Sequence, residues 1–374
     1  MGTRPTVRLL SQLIRPAPIV ALIALALAAT GCGGAKASAD SRGETLGSAG
    51  LIAFVAGNPT DVYVVRPNGK GRRPLTQTPK AFEWCPSWSP DGKSVAASQS
   101  RGQRTTVELL SAKGKRLWRL AGGSCSGWSP DGTRLLLERG DGLYVVGGDG
   151  KNLHKVVSLD SVGGPPSWSP RGDEIAYPMS QDDGDNDQTD ELTIVVKKVD
   201  GEGERHIRIR PPGWCASDGD CRIYHNYFEW APGNEIAFTL VSGDLYPQRL
   251  YAVNDDGSGM HVLSGALQDV YWPRWSPDGG RIAFVYRNKG NDQVWSANMD
   301  GVAVRQLTRV KSHTGNLSGC YDPVWSADAK DIFCYGWAGG MYIVDSATGS
   351  ARLLTRNAST AEPFEPPASS QPLP

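Results

Sequence analysis

The stretch "WSPDG" runs from Trp88 to Gly92, and it stands again at Trp128 to Gly132 and at Trp275 to Gly279. Degenerate copies occur at Trp168 ("WSPRG"), Trp230 ("WAPGN") and Trp325 ("WSADA"). The residues after the tryptophan spell a tight turn. Pro90 presets φ at the second turn position, Asp91 hydrogen-bonds nearby backbone, and Gly92 accepts the left-handed conformation beyond it. Trp88 ends the strand ahead of the turn and is large enough to fill the wedge between neighbouring sheets, where burying such a ring stabilises by roughly 3 kcal/mol. The motif is therefore a repeated folding device and not a catalytic one.

The six tryptophans are spaced by 40, 40, 62, 45 and 50 residues, the period range of propellers and related arrays. Each unit has the same grammar: a segment into Trp, the turn, two apolar runs, an Asp-Gly turn and an "LT"-like ending. In one copy these are "RIAFVY" (Arg281 to Tyr286), "QVWSANMDG" (Gln293 to Gly301) and "RQLT" (Arg305 to Thr308). Runs of this length rich in Val, Ile, Phe and Tyr between Gly, Asp and Pro are strands joined by hairpins. The fold class is all-β, a β-propeller of four-stranded antiparallel blades. "LIAFVAG", "DVYVVRPNG" and "RRPLT" (Leu51 to Thr76) form a seventh unit without its Trp strand. Glu362 to Pro366 is expected to supply that strand, because "LLTRNASTAEPFEPP" echoes "PLTQTPKAFEWCPS". Seven blades are expected. The alternative, six, leaves one unit as an unclosed sheet with exposed edges.

"WSPDG" followed by "RIAF" and an "LT" ending resembles the propeller repeat of TolB-type proteins, over nearly the whole of Leu51 to Thr355. The resemblance implies four-stranded blades, six of them in TolB itself. Similar blades form the noncatalytic half of prolyl oligopeptidases and dipeptidyl peptidases.

The first 31 residues read as an export signal: Arg4, Arg8 and Arg15 with no acid, then an apolar run from Ile19 to Ala29, too short for a membrane span. "ATGC" (Ala29 to Cys32) resembles the lipobox of bacterial lipoproteins, with Ala29 in place of the usual leucine, and implies lipidation of Cys32. Of seven cysteines, removing Cys32 leaves an even six. Residues 32–50 are small and polar without periodicity, a flexible tether with a reach on the order of 25 Å. The propeller is expected over 51–366 and a disordered Pro- and Ser-rich tail over 367–374. Without the signal's three arginines, 36 basic residues face 39 acidic ones, a formal charge of minus three. That balance gives no nucleic-acid footprint.

The first strand of each blade lines a propeller's channel. Four and three residues before the tryptophans stand Trp84, Asn226, Tyr227, Tyr271, Trp272, Tyr321 and Asp322, against a low Gly163 to Pro166 side. They suit a cup for a ligand; packing at the channel mouth accounts for the same residues. Cys85 and Cys125 share one repeat offset 40 residues apart, so adjacent blades place them side by side, and a disulfide is the leading expectation. Cys215 with Cys221 flanks a short loop and Cys320 with Cys334 spans one hairpin.

No Cys-x-x-Cys with paired His suggests a metal. The acidic stretch 182–191 lacks the Gly and Glu that an EF-hand needs, having Gln188 and Ile194 there, and reads as a solvated loop. No Gly-x-Ser-x-Gly elbow occurs. TolB-like oligogalacturonate lyases imply a cluster of His ligands, where only His225 is well placed. The expectation is a lipid-anchored, extracytoplasmic, monomeric propeller without cofactor or metal, which binds an envelope protein, peptide or glycan and catalyses nothing. The alternative is a propeller enzyme acting on polysaccharide, with His225 and Glu229 as acid or base.

Overall fold

The computed structural model describes residues 50–158, 162–179, 192–210, 212–213, 221–242, 248–289, 291–309, 318–336, 339–356, 358 and 370–372. The expectations for the signal, Cys32, the tether as far as residue 49, Cys215 and the acidic stretch lie outside them. Every named element is a strand. Sheet I comprises Gly50–Gly57, Thr60–Val65 and Arg73–Pro74 with Ser370–Pro372 on its inner side. The inner strands of sheets II to VII are Phe82–Trp88, Ser124–Trp128, Ser167–Trp168, Cys221–Trp230, Val270–Trp275 and Ser318–Trp325, each followed by three antiparallel partners in chain order. Sheets VI and VII are joined by a short parallel contact, Asn291 with Ser318 and Asp292 with Gly319.

The expected closing strand at Glu362 to Pro366 lies outside the described residues; within the tail expected to be disordered, three residues form a strand. Ser370–Pro372 pairs with Gly50, Leu51 and Ile52 of the first strand.

Six apolar clusters, among the described residues, fill the spaces between successive sheets. Trp88 packs with Val55 and Val64 of sheet I, Trp128 with Val107 and Leu109 of sheet II, and Trp275 with Ala237 and Leu250 of sheet V. The tryptophan is thus the wedge that the repeat implies. Its ring N–H often finds a carbonyl of the preceding inner strand: Trp128 Nε1 donates to Ser87 O (3.2 Å), Trp168 Nε1 to Gly127 O (3.2 Å) and Trp325 Nε1 to Arg274 O (2.8 Å). The largest cluster runs from sheet VI through VII to Ile52, Phe54 and Val65 of sheet I, so the last sheet closes on the first. Arginines fasten this seam. Arg72 Nη1 donates to Thr355 Oγ1 and Arg356 O (both 3.0 Å), and Arg352 Nη2 to Pro67 O (2.6 Å).

The turns behave as their residues dictate. Ser89 Oγ donates to Asp91 Oδ1 (2.6 Å) and accepts from Ser94 N (3.0 Å), and Ser129 repeats this with Asp131 and Arg134. Gly132 has φ +71°, and a Cβ there would lie 3.1 Å from the ring of Pro90 in the preceding turn, so this glycine is required by close approach as well as by φ. Sheet VII has Ala329 at the same place with φ +56°. Pro178 and Leu192, which flank the acidic stretch, end strands on the face opposite these turns.

Candidate functional site

The inner strands are bulged where the channel-lining residues stand. Register shifts fall between Trp84 and Ser87, Tyr271 and Arg274, and Tyr321 and Val324. Pro86, Pro273 and Pro323 sit inside these bulges, where the missing N–H costs no ladder bond. The residue before each takes the left-handed region: Cys85 at φ +55°, Trp272 at +53° and Asp322 at +52°.

On sheets VI and VII the bulges bring the expected residues together. The Trp272 ring centroid lies 4.9 Å from Tyr271 and 5.4 Å from Tyr321, and Tyr321 lies 6.1 Å from Tyr335. Tyr271 and Tyr321 are buried, whereas Trp272 is half-buried and offers the accessible ring of the three. The Tyr271 hydroxyl donates to Asp292, which Arg287 clasps through Nε (2.7 Å) and Nη2 (3.0 Å) while its guanidinium lies over the Tyr271 ring at 4.9 Å.

Glu229 and Arg274, each one residue before its tryptophan, meet Asp322, three before Trp325, so that charges from three sheets come together. Arg274 Nη2 lies 3.4 Å from Asp322 Oδ1, and Glu229 Oε2 accepts from Trp275 N (2.8 Å). Burial pushes the Glu229 carboxyl up to about 7, the Arg274 charge and the Trp275 N–H holding it back. Burial likewise pushes Asp322 up to about 7 against the pull of Arg274. Glu229 has a structural counterpart in Ser167, whose Oγ accepts from Trp230 N (2.9 Å) at the same repeat offset.

Trp84 stands apart from this group, half-buried against Cys85, Cys125 and Trp128, with no hydrogen-bond partner for its Nε1 among the described residues. Asn226, Tyr227 and His225 lie on a described strand, but their side chains are outside the described residues. Arg274 was missed from sequence. Its signal was there: Ser87, Gly127 and Ser167 are small at this offset, and Glu229 and Arg274 are consecutive, opposite charges.

The cysteines divide. Cys320 and Cys334 form a disulfide with Cα atoms 5.6 Å apart. The expected Cys85–Cys125 bridge is a correction: Cys125 is a free, buried thiol and Cys85 is itself disulfide-bonded. Repeat geometry does bring them together, Cys85 Sγ lying 3.1 Å from Cys125 O and Cys125 Sγ 3.0 Å from Cys85 O. Each sulfur faces the other's carbonyl, and burial pushes the Cys125 thiol up to about 11.

No family model matches the chain. It is 36 % identical over 104 residues to dipeptidyl-peptidase 5 of Porphyromonas endodontalis, covering 27 % of this chain and 14 % of that protein. It is 32 % identical over 124 residues to the Tol-Pal system protein TolB of Bordetella avium, covering 33 % and 27 %. The chain therefore spans under a third of the length of these curated relatives. Among solved structures, an oligogalacturonate lyase in complex with manganese superposes with a TM-score of 0.61 at 15 % identity, covering 85 % of this chain and 87 % of that one. TolB from Acinetobacter baumannii superposes with a TM-score of 0.50 at 16 % identity, covering 87 % and 67 %.

Proposed function

With the TolB-type β-propeller fold as the premise, we propose that this chain is an extracytoplasmic binding scaffold, held at the membrane by a lipid on Cys32, that engages an envelope protein, peptide or glycan through the inner strands of sheets V to VII and catalyses nothing. The observation that carries the reading is the Tyr271, Trp272 and Tyr321 group, in which a left-handed bulge holds one large ring partly exposed over two buried ones. A preorganised aromatic surface binds at low entropic cost. The carboxylates around it are engaged internally, Asp292 with Tyr271 and Arg287, Glu229 with the Trp275 amide and Asp322 with Arg274, which suits positioning better than proton transfer. Export and the lipid rest on the sequence of the first 32 residues, and the extracytoplasmic location also on the relatives named for the Tol-Pal system.

The test is quantitative capture from detergent-solubilised envelopes with wild type and with Trp272→Ala. A specific partner should be retained by wild type and lost from the variant at unchanged melting temperature. Turnover of a polysaccharide with added divalent metal, abolished by His225→Ala, would overturn the reading in favour of a propeller enzyme. Cys32→Ser should release the protein from membranes or leave its signal uncut, since stable attachment takes two or more acyl chains.

A further inference from the structure

His261 opens the outer strand of sheet V, and its two ring nitrogens meet two carbonyls. Nδ1 lies 2.9 Å from Gly259 O in its own turn, and Nε2 lies 2.9 Å from Met299 O in the turn of sheet VI. A carbonyl only accepts, so each nitrogen needs a hydrogen for both contacts to be hydrogen bonds. A neutral imidazole carries one. Only the doubly protonated ring satisfies the geometry. The backbones are pressed together beside it, since a Cβ on Gly301 would stand 2.1 Å from Val262 O. The arrangement recurs at His154, which places Nδ1 2.9 Å from Asn152 O and Nε2 2.9 Å from Val199 O of sheet IV, with Lys155, Lys197, Lys198 and Asp200 around the groove there.

We propose that His261 is held as an imidazolium that latches sheet V to sheet VI, a proton-operated fastening whose loss of charge loosens the outer edge of that seam. The charged groups facing it favour the cation from both sides: Glu235 Oε1 of sheet V lies 3.9 Å from Nε2, and Asp300 belongs to the facing turn of sheet VI. Burial opposes the charge, and the bonds to Gly259 and Met299 with the two carboxylates outweigh it, raising the His261 value above 6.5. A raised histidine value gives a stabilising contribution that is complete below the unfolded value and is lost as pH rises through the folded one. The inner edge of the same seam carries the Glu229 to Trp275 bond. The latch does not depend on the binding function.

Hydrogen exchange over residues 258–264 and 296–304, corrected for intrinsic pH dependence, reads the seam directly. From about pH 6 to about pH 8.5, wild-type protection should fall about threefold or more, while His261→Gln, which keeps a donor and loses the charge, should start lower and show only the smaller step that Glu229 contributes. Flat wild-type protection, or a step of the same size in the variant, would overturn the latch. Ring ¹⁵N shifts of wild type give an answer that needs no variant: both nitrogens protonated at about pH 6 are expected, and a neutral tautomer at that pH refutes the proposal.

Discussion

Replacing Arg274 by methionine removes the cation that stands between two buried carboxyls while keeping a chain of similar length. Glu229 and Asp322 are 8 % and 5 % exposed, and both are raised to about 7, from ordinary values of 4.5 and 3.8 respectively. A carboxyl raised on folding disfavours the fold once it must ionise. The contribution of these two groups to wild-type stability is therefore expected to be most favourable below about pH 4 and to decline toward about pH 7, where they lose their protons. At about pH 8 the two buried carboxyls of the variant must either ionise without their cation or hold protons that the unfolded chain has released, and breaking a buried pair in this way costs about 3–5 kcal/mol. At about pH 5 both carboxyls are protonated in the folded protein. The loss then reduces to a repacked aliphatic chain, about 1 kcal/mol. Urea unfolding of both proteins at the two pH values measures the difference. Adding Glu229→Gln and Asp322→Asn to the variant should restore most of the loss at about pH 8, because the side-chain amide oxygen introduced by Glu229→Gln can still accept from Trp275 N. An equal loss at both pH values, or no restoration by the amides, would refute the account of Arg274 as the counter-charge.

Three smaller perturbations test other parts of the structure. Ala329→Gly relieves a left-handed non-glycine residue and should stabilise by about 1 kcal/mol, the gain in strain exceeding the loss in unfolded-state entropy; a lower melting temperature would contradict this. Removing the Cys320–Cys334 bridge, which closes a separation of 14 residues, should cost about 3 kcal/mol, measured as the shift in urea midpoint of a double Ala variant. Cys125, with its thiol raised to about 11 by burial, should resist iodoacetamide at about pH 8 until the protein is unfolded. Mass mapping that finds it alkylated in the native state, or joined to Cys85, would sink that placement.

The architecture was legible because the repeat states it redundantly: each Trp, Ser, Pro, Asp and Gly acts within one turn or against the adjacent one, and such short-range rules are visible in a linear string. The site was legible only in part. Tyr271, Trp272 and Tyr321 are found by counting back from the tryptophan, yet their division into two buried rings and one half-buried ring depends on bulges whose left-handed residues include Cys85 and Trp272, types that rarely adopt that conformation. The proline that follows each of them is the local mark of the bulge. Cys85 and Cys125 show the limit from the other side, since offset arithmetic placed them as neighbours but carries no information on which sulfur faces which atom.

The fastening of sheet VII to sheet I has a consequence for the order in which this protein can be completed. The pairing of Gly50 with Pro372 and the bonds from Arg72 to Thr355 and from Arg352 to Pro67 tie the earliest strand to the latest ones. A nascent chain emerging from the ribosome can form the central sheets by local hairpins, each turn closing quickly. It cannot cover Phe54 and Val65 until sheet VII has been synthesised. Throughout that interval the first sheet offers an apolar face and an open edge to any chaperone or translocase nearby, and the late, long-range closure makes the last step the slow one. A chain built this way remains threadable for as long as it is incomplete, and becomes resistant to unfolding only when its two ends have met.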